Sequence, residues 1–118
     1  MDRREKGKMG EDVAAKYLQD DGYLILERGF RCKTGEIDII AKKGGELYFI
    51  EVKARWSNDF GNPLESVTYF KQKRFIAAAK FYLASKRFFN VGCHLSAIGV
   101  DMCGDEPRLE FVKDAFEI

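Results

Sequence analysis

The sequence that decides the fold is GEIDIIAKKGGELYFIEVKAR, residues 35–55. It predicts two β-strands joined at Gly44-Gly45, because the tight two-residue turn of a β-hairpin favours glycine. If these two glycines form the whole loop, the register of the hairpin follows directly. That register places Asp38 of the first strand opposite Glu51 of the second. The hairpin therefore predicts a pair of facing carboxylates.

Side chains alternate along a β-strand, so the hairpin has two faces of different composition. One face is apolar and is expected to pack on the core: Ile37, Ile39, Ala41, Tyr48, Ile50, Val52 and Ala54. The other face mixes charged and apolar residues: Glu36, Asp38, Ile40, Phe49, Glu51 and Lys53. In the same register Glu36 is expected opposite Lys53, where it would orient the lysine or simply form an ion pair.

The facing carboxylates of Asp38 and Glu51 would destabilise a plain hairpin. Directly opposed side chains in antiparallel strands have Cβ atoms roughly 5 Å apart, so like charges repel. Apolar neighbours on the same face imply partial burial, which raises the cost of both charges. A divalent cation such as Mg²⁺ or Mn²⁺ would relieve the repulsion, since hard cations bind carboxylate oxygens and keep positions for water and phosphate. Lys53 is expected to point into the same site.

Composition limits the classes of protein to consider. A chain of 118 residues with 46% hydrophobic and 33% charged residues predicts one globular domain over residues 1–118. A net charge of +1 excludes a global basic field, so contact with nucleic acid would need a local cluster of cations. No apolar run reaches the roughly 20 residues of a membrane span, and the charged start lacks a signal peptide's apolar segment. We expect a cytoplasmic protein without membrane partners.

The cysteines and the histidine argue against a zinc or thiol site. Cys32, Cys93 and Cys103 show no CxxC spacing, and His94 is the only histidine. A structural zinc site needs about four such ligands. Neighbours on a strand, such as Cys93 and His94, point to opposite faces, which disfavours a nucleophile pair. We expect reduced and mostly buried thiols.

Two helices are predicted, one before and one after the hairpin. Residues 10–20 carry apolar residues at helical spacing and end before Gly22. Glu11 lies at the start of this segment, either as an acidic residue favoured by the helix dipole or as a functional carboxylate. Residues 65–86 form the longer helix, with an apolar stripe expected to face the sheet. That stripe consists of Phe70, Ala77, Phe81 and Ala84, widened by Val67, Ile76 and Leu83.

The remaining segments complete the order of elements. Residues 23–28, 91–102 and 108–113 are expected to be strands, and residues 29–35 a turn-rich connection. The order α-β-β-β-α-β-β predicts an α/β or α+β domain with a small mixed sheet flanked by helices.

Several side chains around the hairpin are candidates for contact with nucleic acid. Trp56 and Phe60 follow the second strand and would either stack on bases or cover the edge of the sheet. Cations on the long helix and beside the hairpin would either bind backbone phosphates or be solvated surface charges. The candidate phosphate contacts are Arg31, Arg55, Lys71 and Arg74.

Residues of the hairpin and of its surroundings resemble a known nuclease superfamily. Asp38 followed by Glu51-Val52-Lys53 matches the D…(E/D)xK pattern of the PD-(D/E)XK nuclease superfamily. The wider set resembles the bacterial YraN family of uncharacterised, predicted endonucleases, itself similar to archaeal Holliday-junction resolvases. That set consists of Gly10-Glu11, Ala14-Ala15, Tyr17-Leu18, Gly22-Tyr23, Arg28, Phe30-Arg31, Gly35 to Asp38, Phe49 to Arg55 and Phe60-Gly61.

The resemblance implies a restriction-endonuclease-like αβββαβ core and a metal-dependent nuclease. Asp38 and Glu51 would be ligands of Mg²⁺ or Mn²⁺, Lys53 the catalytic lysine, and Glu11 the acidic residue on the first helix that completes the site. DNA is the expected substrate, with branched or flapped DNA among the candidates, and a homodimer would suit paired strand cuts.

Two positions depart from the family's pattern. The family often has Arg-Phe-Asp in the strand after the long helix, where this chain has His94-Leu95-Ser96. It also often has asparagine after the arginine that corresponds to Arg28, where this chain has Gly29. The first departure puts a role for a late aspartate in doubt, while the motif at residues 38–53 is unchanged.

Two alternatives to an enzyme stay open. The chain would be a non-catalytic nucleic-acid or protein-binding module that keeps a nuclease scaffold, in which case nucleic acid would bind without metal and without being cut. It would otherwise be a structural domain whose charges on the hairpin form only a surface network. Metal dependence of thermal stability separates the enzyme from the surface network.

Overall fold

The structure, a computed structural model, describes residues 1–57, 64 and 67–117. Within these residues the chain forms two helices and five strands. In chain order their bounds are α1 Arg3–Asp20, β1 Leu24–Cys32, β2 Gly35–Lys43, β3 Glu46–Arg55, α2 Tyr69–Ser85, β4 Cys93–Asp101 and β5 Arg108–Val112. The predicted order of elements is confirmed.

The five strands form one sheet in the order β1-β2-β3-β4-β5. Neighbouring strands are antiparallel except β3 and β4, which are parallel. Parallel neighbours need a crossover connection, and α2 lies within it. The core beneath α1 and the core beneath α2 occupy opposite faces of the sheet. The predicted mixed α/β fold, with helices flanking a small sheet, is therefore confirmed.

The turn between β2 and β3 confirms the predicted register. Gly44 and Gly45 have φ angles of 60° and 78°, the left-handed conformation that both central residues of this turn need. The pairing runs from the turn to Ile39 opposite Ile50, as the two-residue loop predicts. The ladder ends at that pair, immediately before the two carboxylates.

The alternation of faces is interrupted where β1 passes β2. Gly29, with a φ of 64°, lies opposite Asp38, and the next residue, Phe30, pairs with Ile37. Ile39 belongs to the core beneath α1, whereas Ile37 packs with Phe30 beneath α2. The prediction that Ile37 shares a face with Ile39 is wrong, because a left-handed residue changes the local direction of the paired strands. Asparagine, often found at this position in the resembling family, also tolerates this conformation.

Helix α1 begins at Arg3, well before the predicted start at residue 10. Asp2 caps it by accepting a hydrogen bond from the backbone N–H of Glu5 at 2.8 Å. Glu11 therefore lies in the middle of the helix, and the interpretation through the helix dipole is wrong, since that effect is confined to the first turn. Gly10 lets α1 approach β3 closely, because a Cβ there would lie 2.6 Å from the Cβ of Ala54.

Helix α2 buries a different stripe from the predicted one. Its buried residues are Phe75, Ala78, Ala79 and Tyr82. Phe70, Phe81 and Ala84 are exposed, so the centre of the predicted stripe is wrong, whereas Ile76 and Leu83, which were expected to widen it, pack against the core beneath α2. Apolar residues occur on most of the circumference of this helix, so periodicity alone does not select the buried side. The predicted start at Glu65 lies outside the described residues, and the described helix is capped by Thr68.

Strand β1 is longer than predicted and ends at Cys32. Arg31 therefore lies in a strand and not in a turn-rich connection. The three cysteines are free and half-buried, so the expectation of mostly buried thiols is wrong in degree. Of the described helices, none is long and apolar enough to cross a membrane.

Candidate active site

Asp38 lies where the ladder between β2 and β3 has ended. One oxygen of its carboxylate accepts a hydrogen bond from the backbone N–H of Val52 at 2.8 Å. This side-chain bond links β2 to β3 beyond the last backbone pair of the ladder. Burial raises the pKa of Asp38 above its usual range, although the bond from Val52 lowers it. The negative charges of Glu11 and Glu36 raise this pKa further. The protein therefore holds this carboxylate firmly while disfavouring its charge.

Glu51 lies on β3, two residues after Phe49 of the core beneath α2. Burial is the main cause that raises the pKa of Glu51, and the negative charge of Asp38 is the next. Lys53 and Lys71 act in the opposite direction. The repulsion between Asp38 and Glu51 that the hairpin predicted is present in the folded chain.

Lys53 is the cation nearest in sequence to the carboxylate pair. Burial lowers the pKa of Lys53, and the adjacent Lys71 of α2 lowers it further. Glu51 and Asp38 raise this pKa, but the net shift is downward. An amine with a lowered pKa exchanges protons more readily near neutral pH than an ordinary lysine does. Asp38, Glu51 and Lys53 thus influence one another electrostatically, as expected for one site.

Glu11 is near this site, but its carboxylate is already hydrogen-bonded to Arg28. Its carboxylate accepts a hydrogen bond from Nε of Arg28 at 2.8 Å, and Nη2 of the same arginine donates to Asp12 at 2.6 Å. Arg28 thereby ties the middle of α1 to β1. Because Glu11 still raises the pKa of Asp38, its charge reaches the site. A direct role for Glu11 as a metal ligand stays a prediction.

The donor atoms of the site suit a hard divalent cation. Among residues 1–57, 64 and 67–117, no three histidine, cysteine, aspartate or glutamate side chains are grouped so as to hold a metal ion. Mg²⁺ does not need such a group, because one or two carboxylates together with water and substrate phosphate commonly hold it. Asp38 and Glu51 offer oxygen ligands only, and a cation would offset the burial and the negative neighbours that raise the pKa of each carboxyl.

Glu36 does not lie opposite Lys53 as expected. It pairs with Arg31 of β1 and forms an ion pair with it, with Oε2 3.3 Å from Nε. The correction follows from the early end of the ladder between β2 and β3, beyond which β2 pairs with β1 alone. Arg31 is a strongly exposed cation, and its exposed ion pair with Glu36 would compete only weakly with a phosphate.

The other predicted phosphate contacts have different surroundings. Lys71 and Arg74 are exposed on the first turns of α2, and Lys71 is close enough to Lys53 to affect its pKa. Arg55 forms an ion pair with Asp101 of β4 at 2.5 Å, and both side chains are mostly buried. Arg55 therefore joins the ends of two parallel strands, which is a structural role that the sequence did not indicate.

A cleft of about 720 Å³ opens beside Lys53, between the start of α1, the end of β3 and the start of α2. Its cations include Arg3 and Lys6, which sequence analysis did not single out. The ammonium of Lys6 lies 5.7 Å from the centre of the Trp56 ring. The spacing in the sequence could have indicated these two cations. Arg3 and Lys6 are three residues apart, so they lie on the same side of a helix. They precede Gly10, where α1 contacts β3, by one to two turns.

The two departures from the resembling family's pattern have structural explanations. Ser96 is fully buried in β4, and its hydroxyl donates a hydrogen bond to the carbonyl of Lys113. His94 bonds Glu46 and Asp114 at the opposite end of β3 from the carboxylate pair. Neither residue takes part in the arrangement around Lys53.

Comparison of the sequence with known families gives one match over most of the chain. The model of the uncharacterised protein family UPF0102 matches residues 10–103. A UPF0102 protein of Clostridium perfringens is 51% identical over 95% of this chain and 93% of the relative. A UPF0102 protein of Clostridium kluyveri is 44% identical over 98% and 96%. A UPF0102 protein of Moorella thermoacetica is 43% identical over 98% of both chains.

Comparison with solved structures gives a more distant likeness. The structure of Pyrococcus furiosus SfsA in complex with Ca²⁺ superposes with a TM-score of 0.41 and 15% identity. The match covers 93% of this chain but 62% of the other, so this chain spans less than two thirds of its length. At this distance the likeness bears on neither ligand nor activity.

Proposed function

This chain belongs to the uncharacterised protein family UPF0102, the YraN family that its motifs resemble, and we propose that it is a metal-dependent nuclease. The reaction is hydrolysis of phosphodiester bonds in nucleic acid, with DNA as the first substrate to test. One observation carries the proposal. Two partly buried carboxylates, Asp38 and Glu51, have raised pKa values beside an amine, Lys53, whose own pKa is lowered.

Asp38 and Glu51 are the residues that would hold Mg²⁺ or Mn²⁺. A bound cation of this kind polarises a phosphoryl oxygen and makes a water molecule a better nucleophile. The backbone N–H of Val52 fixes the orientation of the Asp38 carboxylate, and Arg28 holds the nearby Glu11. These contacts keep the acidic groups in place before substrate arrives, which limits the reorganisation needed for reaction.

Lys53 contributes charge and, through its lowered pKa, proton exchange. Its ammonium would stabilise the negative charge that develops on the phosphoryl oxygens. Its neutral amine, more populated than in an ordinary lysine, would accept a proton from attacking water. Lys71, on the first turn of α2 and in the lining of the cleft, would contact a neighbouring phosphate of the bound nucleic-acid strand. A homodimer that pairs two such sites for double-strand cuts stays a prediction.

The test is cleavage of labelled junctions, flaps, single strands and duplexes in the presence of Mn²⁺ or Mg²⁺. Wild-type protein should cut at least one of these substrates, and Glu51→Gln and Asp38→Asn should lower the rate at least about 100-fold. Lys53→Gln should also lose cleavage but keep metal binding. The matched control is Glu46→Gln, which changes the same residue type at the other end of β3 and should cut like wild type.

A non-catalytic nucleic-acid-binding module is the second candidate. The observation in its favour is the cleft lined by Arg3, Lys6, Lys53 and Lys71, whose cations would bind phosphates without a metal ion. In that case the same substrates would bind in the presence of a chelator and stay intact in Mn²⁺. Affinity would then fall steeply as the salt concentration rises.

A further inference from the structure

The cleft beside Lys53 concentrates positive charge. Its lining includes four cations, Arg3, Lys6, Lys53 and Lys71, and no carboxylate of the described residues. The whole chain has a net charge of only +1, so these cations are a local feature and not a sample of a basic surface. Like charges held around one concave space repel one another, and an anion with several charges relieves that repulsion.

The cleft also contains the one tryptophan of the chain. Trp56 forms part of the wall, and the ammonium of Lys6 lies over its ring at 5.7 Å. The lysine side chain is long and flexible, so Lys6 can leave the ring for a phosphate when a flat ligand group arrives. Cations beside an aromatic face are the composition by which proteins hold unpaired nucleotides, since phosphates meet the cations and bases stack on the ring.

The size of the cleft favours single-stranded over double-stranded nucleic acid. Its volume of about 720 Å³ is that of a pocket for a small ligand, and a short run of one strand fits such a space. A duplex would present only its backbone to this space, because its bases are stacked inside the helix. Bases of a duplex would have to leave the stack to reach Trp56.

We propose that this cleft binds a short single-stranded stretch of nucleic acid, with Arg3, Lys6 and Lys71 on its phosphates and Trp56 against a base. Lys53 belongs both to the cleft and to the carboxylate site, so the bound strand passes the position of the proposed reaction. Insofar as it names a substrate class, the inference rests on the proposed nuclease function. Its substrates are then overhangs, flaps and loops.

The test uses Trp56 as an intrinsic fluorescent reporter, since it is the chain's single tryptophan. An oligothymidylate is titrated into the full chain at low salt with a chelator present, beside a duplex of the same length. We expect quenching by the single strand and at least about tenfold weaker binding of the duplex. Each lost phosphate contact should reduce the slope of log K against log salt by about 0.7.

Matched variants on one helix locate the binding. Lys6→Gln, alone and combined with Arg3→Gln, should weaken binding of the single strand at least about tenfold. Lys16→Gln removes a charge of the same type from the same helix, outside the cleft lining, and should bind like wild type. Equal effects of Lys6→Gln and Lys16→Gln, equal affinity for the duplex, or equal binding of poly-glutamate would each overturn the proposal.

The outcome is separable from that of the proposed function. Single-strand binding that depends on Lys6, without any cleavage in Mn²⁺, would contradict the nuclease and support the cleft. Cleavage in Mn²⁺ that Lys6→Gln leaves unchanged on every substrate would support the nuclease and contradict the cleft.

Discussion

Strand β3 carries two glutamates, Glu46 as its first residue and Glu51 near its middle, and the two have opposite surroundings. Glu46 is half-exposed and lies 2.7 Å from Nε2 of His94, whose Nδ1 lies 2.7 Å from Asp114. The imidazole also stacks on Tyr48 with ring centres 4.4 Å apart. Glu51 is largely buried, and the other carboxylate near it, Asp38, repels it.

The comparison separates charges that stabilise the fold from charges that await a ligand. At the Glu46 end, the carboxylates of Glu46 and Asp114 raise the pKa of His94, and an imidazolium between them offsets one of their two negative charges. At the Glu51 end, burial raises the pKa of both carboxyls, so the folded chain is more stable when they are protonated. A hairpin that keeps such a pair at a cost to stability is expected to use it for binding.

The largest effect expected from this difference is stabilisation by a divalent cation. An ion present at about 100 times its dissociation constant adds about 2.7 kcal/mol, which is roughly 10 °C in a domain of this size. Wild type and Glu46→Gln should both show this rise in melting temperature with Mn²⁺ at pH 7.5. Glu51→Gln should show none of it. A rise of equal size in Glu51→Gln would place the ion elsewhere.

The next effect is on the metal-free protein. Asp38→Asn keeps the shape of the side chain and its acceptor for the N–H of Val52 but removes a buried charge. Because the pKa of Asp38 is raised in the folded state, its ionisation destabilises the fold progressively above about pH 4. Asp38→Asn should therefore be more stable than wild type at pH 8, by about 1–3 kcal/mol, and gain little at pH 4. Urea unfolding at both pH values measures the difference.

Glu51→Gln should behave in the same way, since the pKa of Glu51 is raised by the same burial and by Asp38. The control is Glu46→Gln, which loses a favourable ion pair and should not be stabilised at either pH. A loss of stability at pH 8 in both Asp38→Asn and Glu51→Gln would mean that these carboxylates support the fold.

The smallest effect lies at the other end of the strand. The raised pKa of His94 means that its charge stabilises the fold fully below about pH 6.5, and that this contribution disappears as pH rises through the folded pKa. His94→Gln should cost about 0.5–1 kcal/mol at pH 5.5, because both partner carboxylates are substantially exposed, and less at pH 8.5. Unfolding curves at the two pH values test this, and a cost that increases with pH would contradict it.

Local rules were enough to predict the hairpin and its carboxylates. The glycine pair determined the turn, and the turn determined the register as far as Ile39 and Ile50. Asp38 and Glu51 follow directly beyond that last pair, and the charge of Asp38 reaches Glu51. These are short-range consequences of backbone geometry. They required no knowledge of how the helices pack.

Other features depended on contacts between distant elements. Gly29 changes the face of Ile37, and only the pairing of β1 with β2 reveals this. The buried side of α2 is selected by the close approach of the helix to Gly35, where a Cβ would lie 2.2 Å from the Arg74 carbonyl oxygen. The cationic cleft forms only where α1, β3 and α2 meet, so the sequence around Lys6 could not by itself predict that this lysine lines a cleft.

The most direct test of the carboxylate site is calorimetric titration of the protein with Mn²⁺ at pH 6.5 in two buffers of different ionisation enthalpy. Asp38 and Glu51 hold protons in the folded chain more tightly than usual, and a bound ion must displace them. We expect one binding event that releases roughly one proton per ion and that is lost in Asp38→Asn and Glu51→Gln. Absence of binding in wild type, or binding that both variants retain, would contradict the assignment of this site.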